Sequence, residues 1–91
     1  ALDSLMRVLA VESAPAIRVN STLPEGIRTA MTDSMLADLE VMARFERDYT
    51  LGIGELDDIV NAAGFLVSAR SHWIAGQQMV VDGGRTVNIS I

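Results

Sequence analysis

Few residues of this chain could take part in acid–base, nucleophilic or metal chemistry. His72 is the only histidine, and the chain has no cysteine and no lysine. These absences exclude a histidine-pair or thiolate metal site, a cysteine nucleophile and any mechanism that needs a lysine amine. No serine lies in a G-x-S-x-G run that would indicate a hydrolase triad. We therefore interpret His72 as a polar residue in the loop before the last predicted strand.

Two further patterns resemble sites but have simpler explanations. Asp57 and Asp58 could act as paired carboxylates, yet adjacent helix residues point in different directions, so we interpret them as helix-capping residues. The run Gly52-Ile53-Gly54-Glu55-Leu56-Asp57 has two glycines of a dinucleotide fingerprint, but no predicted strand precedes it and the third glycine is absent. This run is expected to form a loop and the start of a helix.

Length and composition limit the chain to one folded unit. It has 91 residues, of which 49% are apolar and 21% charged, enough hydrophobic surface to fold but too few residues for two domains. The net charge is −5 and the seven arginines are dispersed, so no nucleic-acid partner is expected. No apolar run approaches the roughly 18 residues of a membrane span, and the absence of cysteine fits a reducing compartment. We expect a cytoplasmic protein with no membrane partner.

The first half of the chain predicts a helix, a strand and a helical excursion. Apolar residues at helical spacing predict an amphipathic helix to about Ser13, which Pro15 ends. Alternation over residues 17–23 predicts a short strand, closed by a turn at residues 24–26. From Thr32 to about Arg47 the pattern is loosely helical, with Thr32 or Asp33 as the cap.

The second half predicts a helix over residues 55–69, and residues 68–72 are expected to end it. A strand is predicted over residues 78–82. That strand is nearly all apolar, which is typical of burial between layers. Two apolar strands joined by a helical crossover predict a parallel βαβ unit of the α/β class. Val87, Ile89 and Ile91 alternate with polar residues, so a last extended segment is expected.

Two ordered motifs make the chain similar to the short-chain dehydrogenase/reductase family. IRVN at residues 17–20 is followed by Pro24, Ile27 and Thr29, and the run WIAGQQMVVDGG from Trp73 to Gly84 resembles the family's ending. The resemblance implies the C-terminal portion of a Rossmann-type, doubly wound domain with two core strands and a crossover helix. It further implies that residues 1–91 are one C-terminal fragment that lacks the dinucleotide-binding half.

The family's catalytic residues have no counterpart in this chain. Members carry a glycine-rich phosphate turn, a serine and a Y-x-x-x-K pair, in which the lysine cation makes the tyrosine a better acid. Tyr49 is the only tyrosine, and Ile53 stands four residues after it. A phenol with an ordinary pKa of about 10 is too weak a proton donor at neutral pH without such a cation. We therefore assign no catalytic residue.

Two functions are open at this point. The chain starts at Ala1 and is expected to be truncated or processed. It resembles a fragment of an NAD(P)-dependent oxidoreductase that acts on a carbonyl or alcohol, and this fragment is expected to be inactive alone. The alternative is a structural or oligomerisation module that completes or caps a partner chain. A Y-x-x-x-K upstream of Ala1 would favour the first.

The resemblance also implies a cofactor-binding turn, formed by Pro24, Glu25, Gly26, Ile27 and Thr29. Backbone groups around Ile27 and the Thr29 hydroxyl would cradle the nicotinamide carboxamide of NAD or NADP. Glu25 stands where the family normally has glycine. We expect this chain alone to bind neither cofactor tightly. The alternative is an ordinary turn from strand to helix.

A lid and an association surface follow from the same resemblance. Residues 30–49 match the family's substrate lid. Its apolar side chains would either line an apolar pocket or cover the core as part of a surface helix. These side chains are Met31, Met35, Leu36, Leu39 and Met42. The final strand and the helix over residues 55–69 are expected to pack against a twofold-related subunit, as a homo-oligomer, or against the missing half.

Overall fold

The computed structural model describes residues 1–88, and Ile89 and Ile91 of the predicted last segment lie outside them. Six main elements follow in order: α1 (Leu2–Ser13), β1 (Ser21–Pro24), α2 (Ala30–Leu36), α3 (Leu39–Asp48), α4 (Leu56–Val67) and β2 (Gln78–Val81). Short 3-10 turns cover Ala69–Ser71 and Arg85–Val87. The order of elements confirms the α/β prediction, whereas an extended conformation at Val87 was wrong because Val87 ends a 3-10 turn.

The two strands pair in parallel, as predicted for a crossover unit. Ser21 lies opposite Gln78 and Pro24 opposite Val81. The strand predicted over residues 17–23 begins only at Ser21, because β2 itself starts at Gln78 and offers no strand partner to the earlier residues. The segment before β1 is joined to the segment before β2 by a bond from Gly76 N to the Val19 carbonyl, at 2.8 Å.

The helical excursion consists of two helices, not the single loose pattern predicted. The Asp38 carboxylate accepts bonds from the amides of Glu40 and Val41, at 2.9 and 3.4 Å, so it starts α3 and separates it from α2. Thr29 is the N-cap of α2, which corrects the predicted cap at Thr32 or Asp33. The Thr32 hydroxyl still contributes, since it accepts the Thr29 amide at 2.8 Å.

Helix α4 is slightly shorter than the predicted 55–69. Glu55 is its N-cap, and the Glu55 amide donates to Asp58 Oδ2 at 2.8 Å, which confirms the capping interpretation for Asp58. At the other end, the Arg18 guanidinium binds the carbonyls of Leu66 and Ser68. Ala69 belongs to the following 3-10 turn, because the helix ends where these carbonyls turn toward Arg18.

The chain is elongated and has a small core. Its extents are 49 × 26 × 21 Å and its radius of gyration is 15.9 Å, against about 12 Å for a compact domain of this length. Among residues 1–88 the buried apolar side chains are Met6, Ala10, Leu36 and Tyr49, while eighteen large apolar side chains are exposed. No helix in that range is long and apolar enough to cross a membrane.

Strand β2 is not buried on both faces within this chain, contrary to prediction. Gln78 and Val80 are exposed, and Met79 and Val81 are half-buried. The hydrophobic pattern of β2 therefore exceeds what the described layers of this chain cover.

Candidate functional site

The turn after β1 is fixed by a second loop that leads into α4. Ile27 forms a parallel bridge with Gly54. The bridge consists of two short bonds, from Gly54 N to the Gly26 carbonyl at 2.9 Å and from Arg28 N to the Gly54 carbonyl at 2.7 Å. The bridge thus fixes the backbone around Ile27 beyond the end of the strand.

This bridge leaves the polar backbone groups of Ile27 on the opposite edge. In extended backbone, the N–H and C=O of one residue point to one side and those of its neighbours to the other. The Ile27 N–H donates to no other group among residues 1–88, and the Ile27 carbonyl accepts only a long bond, 3.4 Å, from the Thr32 hydroxyl. A donor and an acceptor side by side fit a planar carboxamide such as that of nicotinamide.

Gly26 and Tyr49 pack directly against each other in this turn. Gly26 has a φ of +74°, a conformation that favours glycine. An ideal Cβ at residue 26 would lie 2.7 Å from Tyr49 Cζ, inside contact distance. The Tyr49 ring also stacks on Phe45, with ring centroids 5.4 Å apart. Tyr49, which the sequence placed outside any motif, therefore supports the turn.

The surroundings of Tyr49 disfavour ionisation of its phenol. Burial and, next, the negative charge of Glu25 raise its pKa, while Arg85 acts in the opposite direction. A catalytic phenol needs the opposite shift.

The other three predicted cofactor residues lie on the same turn. Pro24 is the last residue of β1, and the Glu25 amide extends the ladder by donating to the Val81 carbonyl at 3.1 Å. The Glu25 side chain is exposed and borders two clefts, of about 360 and 430 Å³. Thr29 follows as the exposed N-cap of α2. All five residues thus lie at the carboxyl end of a parallel strand, where open α/β sheets bind ligands.

Arg28 fastens this turn to two neighbouring elements. Its Nε donates to Glu55 Oε1 at 3.2 Å, and Nη1 lies 3.6 Å from Asp33 Oδ1. These contacts join the turn to the starts of α4 and α2.

The predicted lid residues have different surroundings. Leu36 is buried and lines a cleft of about 200 Å³ beside Gly26 and Ile27, and Met35 borders the 430 Å³ cleft. Met31 and Leu39 are 88% and 86% exposed, whereas Met42 is half-buried. Neither the pocket-lining nor the covering interpretation describes the whole set in this chain.

Arg18 and Asn20 belong to the IRVN motif, and the sequence alone gave them no structural role. The Arg18 guanidinium bonds to the Leu66, Ser68 and Ile74 carbonyls at 3.2, 3.0 and 3.2 Å. The Asn20 amide donates to the Ile74 carbonyl and accepts from Gln77 N, each at 3.0 Å. The sequence signal that could have indicated this role is that two polar side chains lie two residues apart, on one face of the predicted strand. Together they fix the loop that enters β2.

Asp82 is a second structural residue that was missed. Its carboxylate is buried and accepts the amides of Gly84 and Thr86 at 3.0 and 2.7 Å. Hydrogen bonding, first of all from the Thr86 side chain, holds its pKa below the ordinary range. Asp82 thereby sets the turn after β2.

The remaining candidates for chemistry do not assemble. His72 is exposed and directly follows the 3-10 turn Ala69–Ser71, as expected of a polar loop residue. Residues 1–88 contain no group of three or more acidic, histidine or cysteine side chains placed to hold a metal.

The fold and the turn define the class of protein, a parallel α/β protein of Rossmann type. A family model described as enoyl-(acyl carrier protein) reductase matches residues 1–86. The chain is 38% identical to an L-rhamnose 1-dehydrogenase (NAD(P)(+)) of Azotobacter vinelandii, an alignment that covers 97% of this chain and 35% of that protein.

Solved structures of dehydrogenases also superpose on this chain. A short-chain type dehydrogenase/reductase from Mycobacterium ulcerans superposes with a TM-score of 0.86 at 32% identity, covering 96% of this chain and 32% of that one. A 4-hydroxyisoleucine dehydrogenase complexed with NADH also gives 0.86, at 33% identity, covering 94% and 36%. The chain belongs to the short-chain dehydrogenase/reductase family, and it spans about a third of the length of these relatives.

Proposed function

We propose that this chain forms the nicotinamide-facing end of an NAD(P)-dependent oxidoreductase that interconverts a carbonyl compound and an alcohol. The observation that carries this proposal is the unpartnered Ile27 N–H beside its weakly bonded carbonyl, at the carboxyl end of β1. Residues 24–29 would hold the carboxamide, with the Thr29 hydroxyl next to it. The cofactor, when bound, supplies or accepts a hydride. The names of the relatives, an NAD(P)-linked dehydrogenase and an NADH complex, support this assignment.

The chain orients the cofactor but supplies no proton in this proposal. The buried Tyr49 has a raised pKa, and no lysine exists to lower it. The proton donor and the glycine-rich turn for the pyrophosphate would come from sequence outside these residues. We therefore propose that residues 1–91 are a C-terminal portion of a cytoplasmic enzyme, inactive alone and unable to bind NAD or NADP tightly.

The experiment expresses the complete open reading frame that contains residues 1–91 and assays it with NAD and NADP against a panel of alcohols and carbonyl compounds. Cofactor-dependent turnover, weakened in a Thr29→Val variant mainly through the KM for cofactor, supports the proposal. A folded protein with no turnover, or a reading frame that adds no Y-x-x-x-K, contradicts it.

A second candidate, the oligomerisation module, is favoured by the exposed apolar side chains of α4, of β2 and of the loop between them. Val67 and Trp73 are 83% and 90% exposed, and Val80 is 44% exposed on an open strand edge. Exposed apolar strands associate unless they are covered, so we propose burial against a second copy or the missing half. Sedimentation of the purified chain is expected to show association, and a stable monomer at micromolar concentration contradicts this role.

A further inference from the structure

A cleft of about 430 Å³ lies between the end of α3 and the turn after β2, and Glu25 also borders the separate cleft that contains Gly54. It combines an apolar wall with four charged residues, and its lining is Glu25, Met35, Val41, Arg44, Phe45, Asp48, Tyr49 and Arg85. Because Glu25 belongs to the turn proposed to hold nicotinamide, this cleft adjoins the place where a substrate would meet the cofactor.

Two sets of hydrogen bonds hold the walls of the cleft together. The Asn88 side-chain amide donates to the carbonyls of Arg47 and Asp48, both at 2.9 Å, and so ties the C-terminal segment to the end of α3. The Asp82 carboxylate fixes the turn that carries Arg85 through the amides of Gly84 and Thr86. Arg85 is therefore presented to the cleft by a braced turn.

The lining of the cleft includes two arginines whose charges are not offset by an ion pair in the described part of the chain. Arg44 and Arg85 form no ion pair with any other residue of the 1–88 range. Asp48 is engaged by Arg47 Nε at 3.0 Å, which offsets its charge. Glu25 also forms no ion pair among those residues, so this carboxylate and the two arginines are the unpaired charges of the lining.

We infer that this cleft is a substrate subsite for a small hydroxy acid, whose carboxylate binds Arg44 and Arg85 and whose hydroxyl groups donate to Glu25. A guanidinium group matches the geometry of a carboxylate, and a carboxylate side chain accepts hydrogen bonds from hydroxyl groups. The inference rests on the proposed function, since it gives the substrate class for that same site.

The test compares matched acids and polyols on the complete protein: D-gluconate with D-glucitol, and D-glycerate with glycerol. Calorimetry measures binding, and cofactor absorbance measures turnover. The wild-type protein should bind the acid more tightly than the polyol. Arg44→Gln and Arg85→Gln should each weaken acid binding about 10- to 100-fold, with polyol binding unchanged within about twofold. Arg85→Lys should retain part of the preference, because it keeps the charge and loses the planar fork.

Arg70→Gln is the matched control, since Arg70 is exposed on the 3-10 turn after α4 and does not line the cleft. Arginine-dependent acid binding without turnover would support the subsite and contradict the oxidoreductase proposal. Turnover that shows no acid preference, or equal losses for acid and polyol in the arginine variants, would overturn the subsite. A folded protein that binds neither acid would overturn it as well.

Discussion

The Tyr49 ring occupies the space that a side chain on Gly26 would fill, with Cζ 2.7 Å from an ideal Cβ. Gly26 also has a φ of +74°, so backbone conformation and packing both require glycine there. The family pattern places its glycine one residue earlier, where this chain has Glu25. The glycine of this turn is therefore displaced by one position, and the ring that packs against it comes from the residue that follows α3.

Gly26→Ala should lower the free energy of unfolding by about 2–4 kcal/mol, because it adds a strained φ and an overlap with the Tyr49 ring. The measurement is urea denaturation followed by circular dichroism. Gly64→Ala is the control, since a Cβ there meets nothing within 4 Å and the residue lies inside α4. That control should be neutral or stabilising by up to about 1 kcal/mol. Equal effects of the two substitutions would contradict the packing of Tyr49 on Gly26.

Tyr49 should ionise above its ordinary pKa of 10.0, because burial and Glu25 disfavour the phenolate. It is the only tyrosine, so the phenolate absorbance of this chain reports it alone. A raised folded pKa means that its contribution to stability is fully present below pH 10 and is lost as pH rises through the folded pKa.

Two variants test the direction in which Glu25 and Arg85 each shift the pKa of Tyr49. Glu25→Gln should lower the midpoint of the phenolate titration, and Arg85→Gln should raise it. The chain unfolded in urea provides the reference midpoint. A native midpoint at or below that of the unfolded chain would show that the Tyr49 ring is not buried beside Glu25.

Arg18→Met should destabilise the chain by about 1–3 kcal/mol, because it leaves the Leu66, Ser68 and Ile74 carbonyls without their guanidinium partner. Hydrogen exchange should speed up locally in residues 69–77, since Arg18 holds the segment between α4 and β2. Arg70→Gln, an exposed arginine with no ion pair among residues 1–88, should change neither measurement. Unchanged exchange in Arg18→Met would remove the assigned role.

Asp82→Asn should destabilise the chain at pH 7, because an amide offers one acceptor oxygen to a turn that uses two. The depressed pKa of Asp82 means that its stabilising contribution is present above the ordinary value of 3.8 and is lost as pH falls through the folded pKa. The difference between wild type and variant, measured by urea denaturation at a series of pH values, should therefore shrink below about pH 4. A difference that stays constant across this range would contradict the assignment.

Local patterns predicted the elements that depend on nearby residues. Helical spacing in α1 and its end before Pro15 were confirmed, as were α4 and the parallel pairing of the two strands. These features follow from periodicity and from a proline that cannot continue a helix, both of which a short stretch of sequence contains.

Distant contacts could not be predicted in this way. The start of β1 at Ser21 depends on where β2 begins, and the break between α2 and α3 depends on the Asp38 side chain taking two amides. Arg18 reaches a carbonyl 56 residues away. The contact between Gly26 and Tyr49 likewise joins two loops whose proximity is set only by the folded chain.

The predicted cofactor residues were found on one turn because they are contiguous in sequence and follow a strand. The orientation of the Ile27 amide was not predictable, since it results from the bridge to Gly54. The exposure of β2 also contradicted the burial predicted from its apolar pattern, because the described residues of this chain leave Gln78 and Val80 uncovered.

The most direct test of the account is a titration of the purified 91-residue chain and of the complete protein with NADH and NADPH, followed by cofactor fluorescence and by carbonyl-dependent loss of absorbance. We predict saturable binding and turnover by the complete protein. The chain alone should show neither up to about 1 mM cofactor, because it lacks a glycine-rich pyrophosphate turn and an acidic proton donor. Tight binding with turnover by the 91-residue chain would contradict the account and would require a proton donor other than a tyrosine–lysine pair.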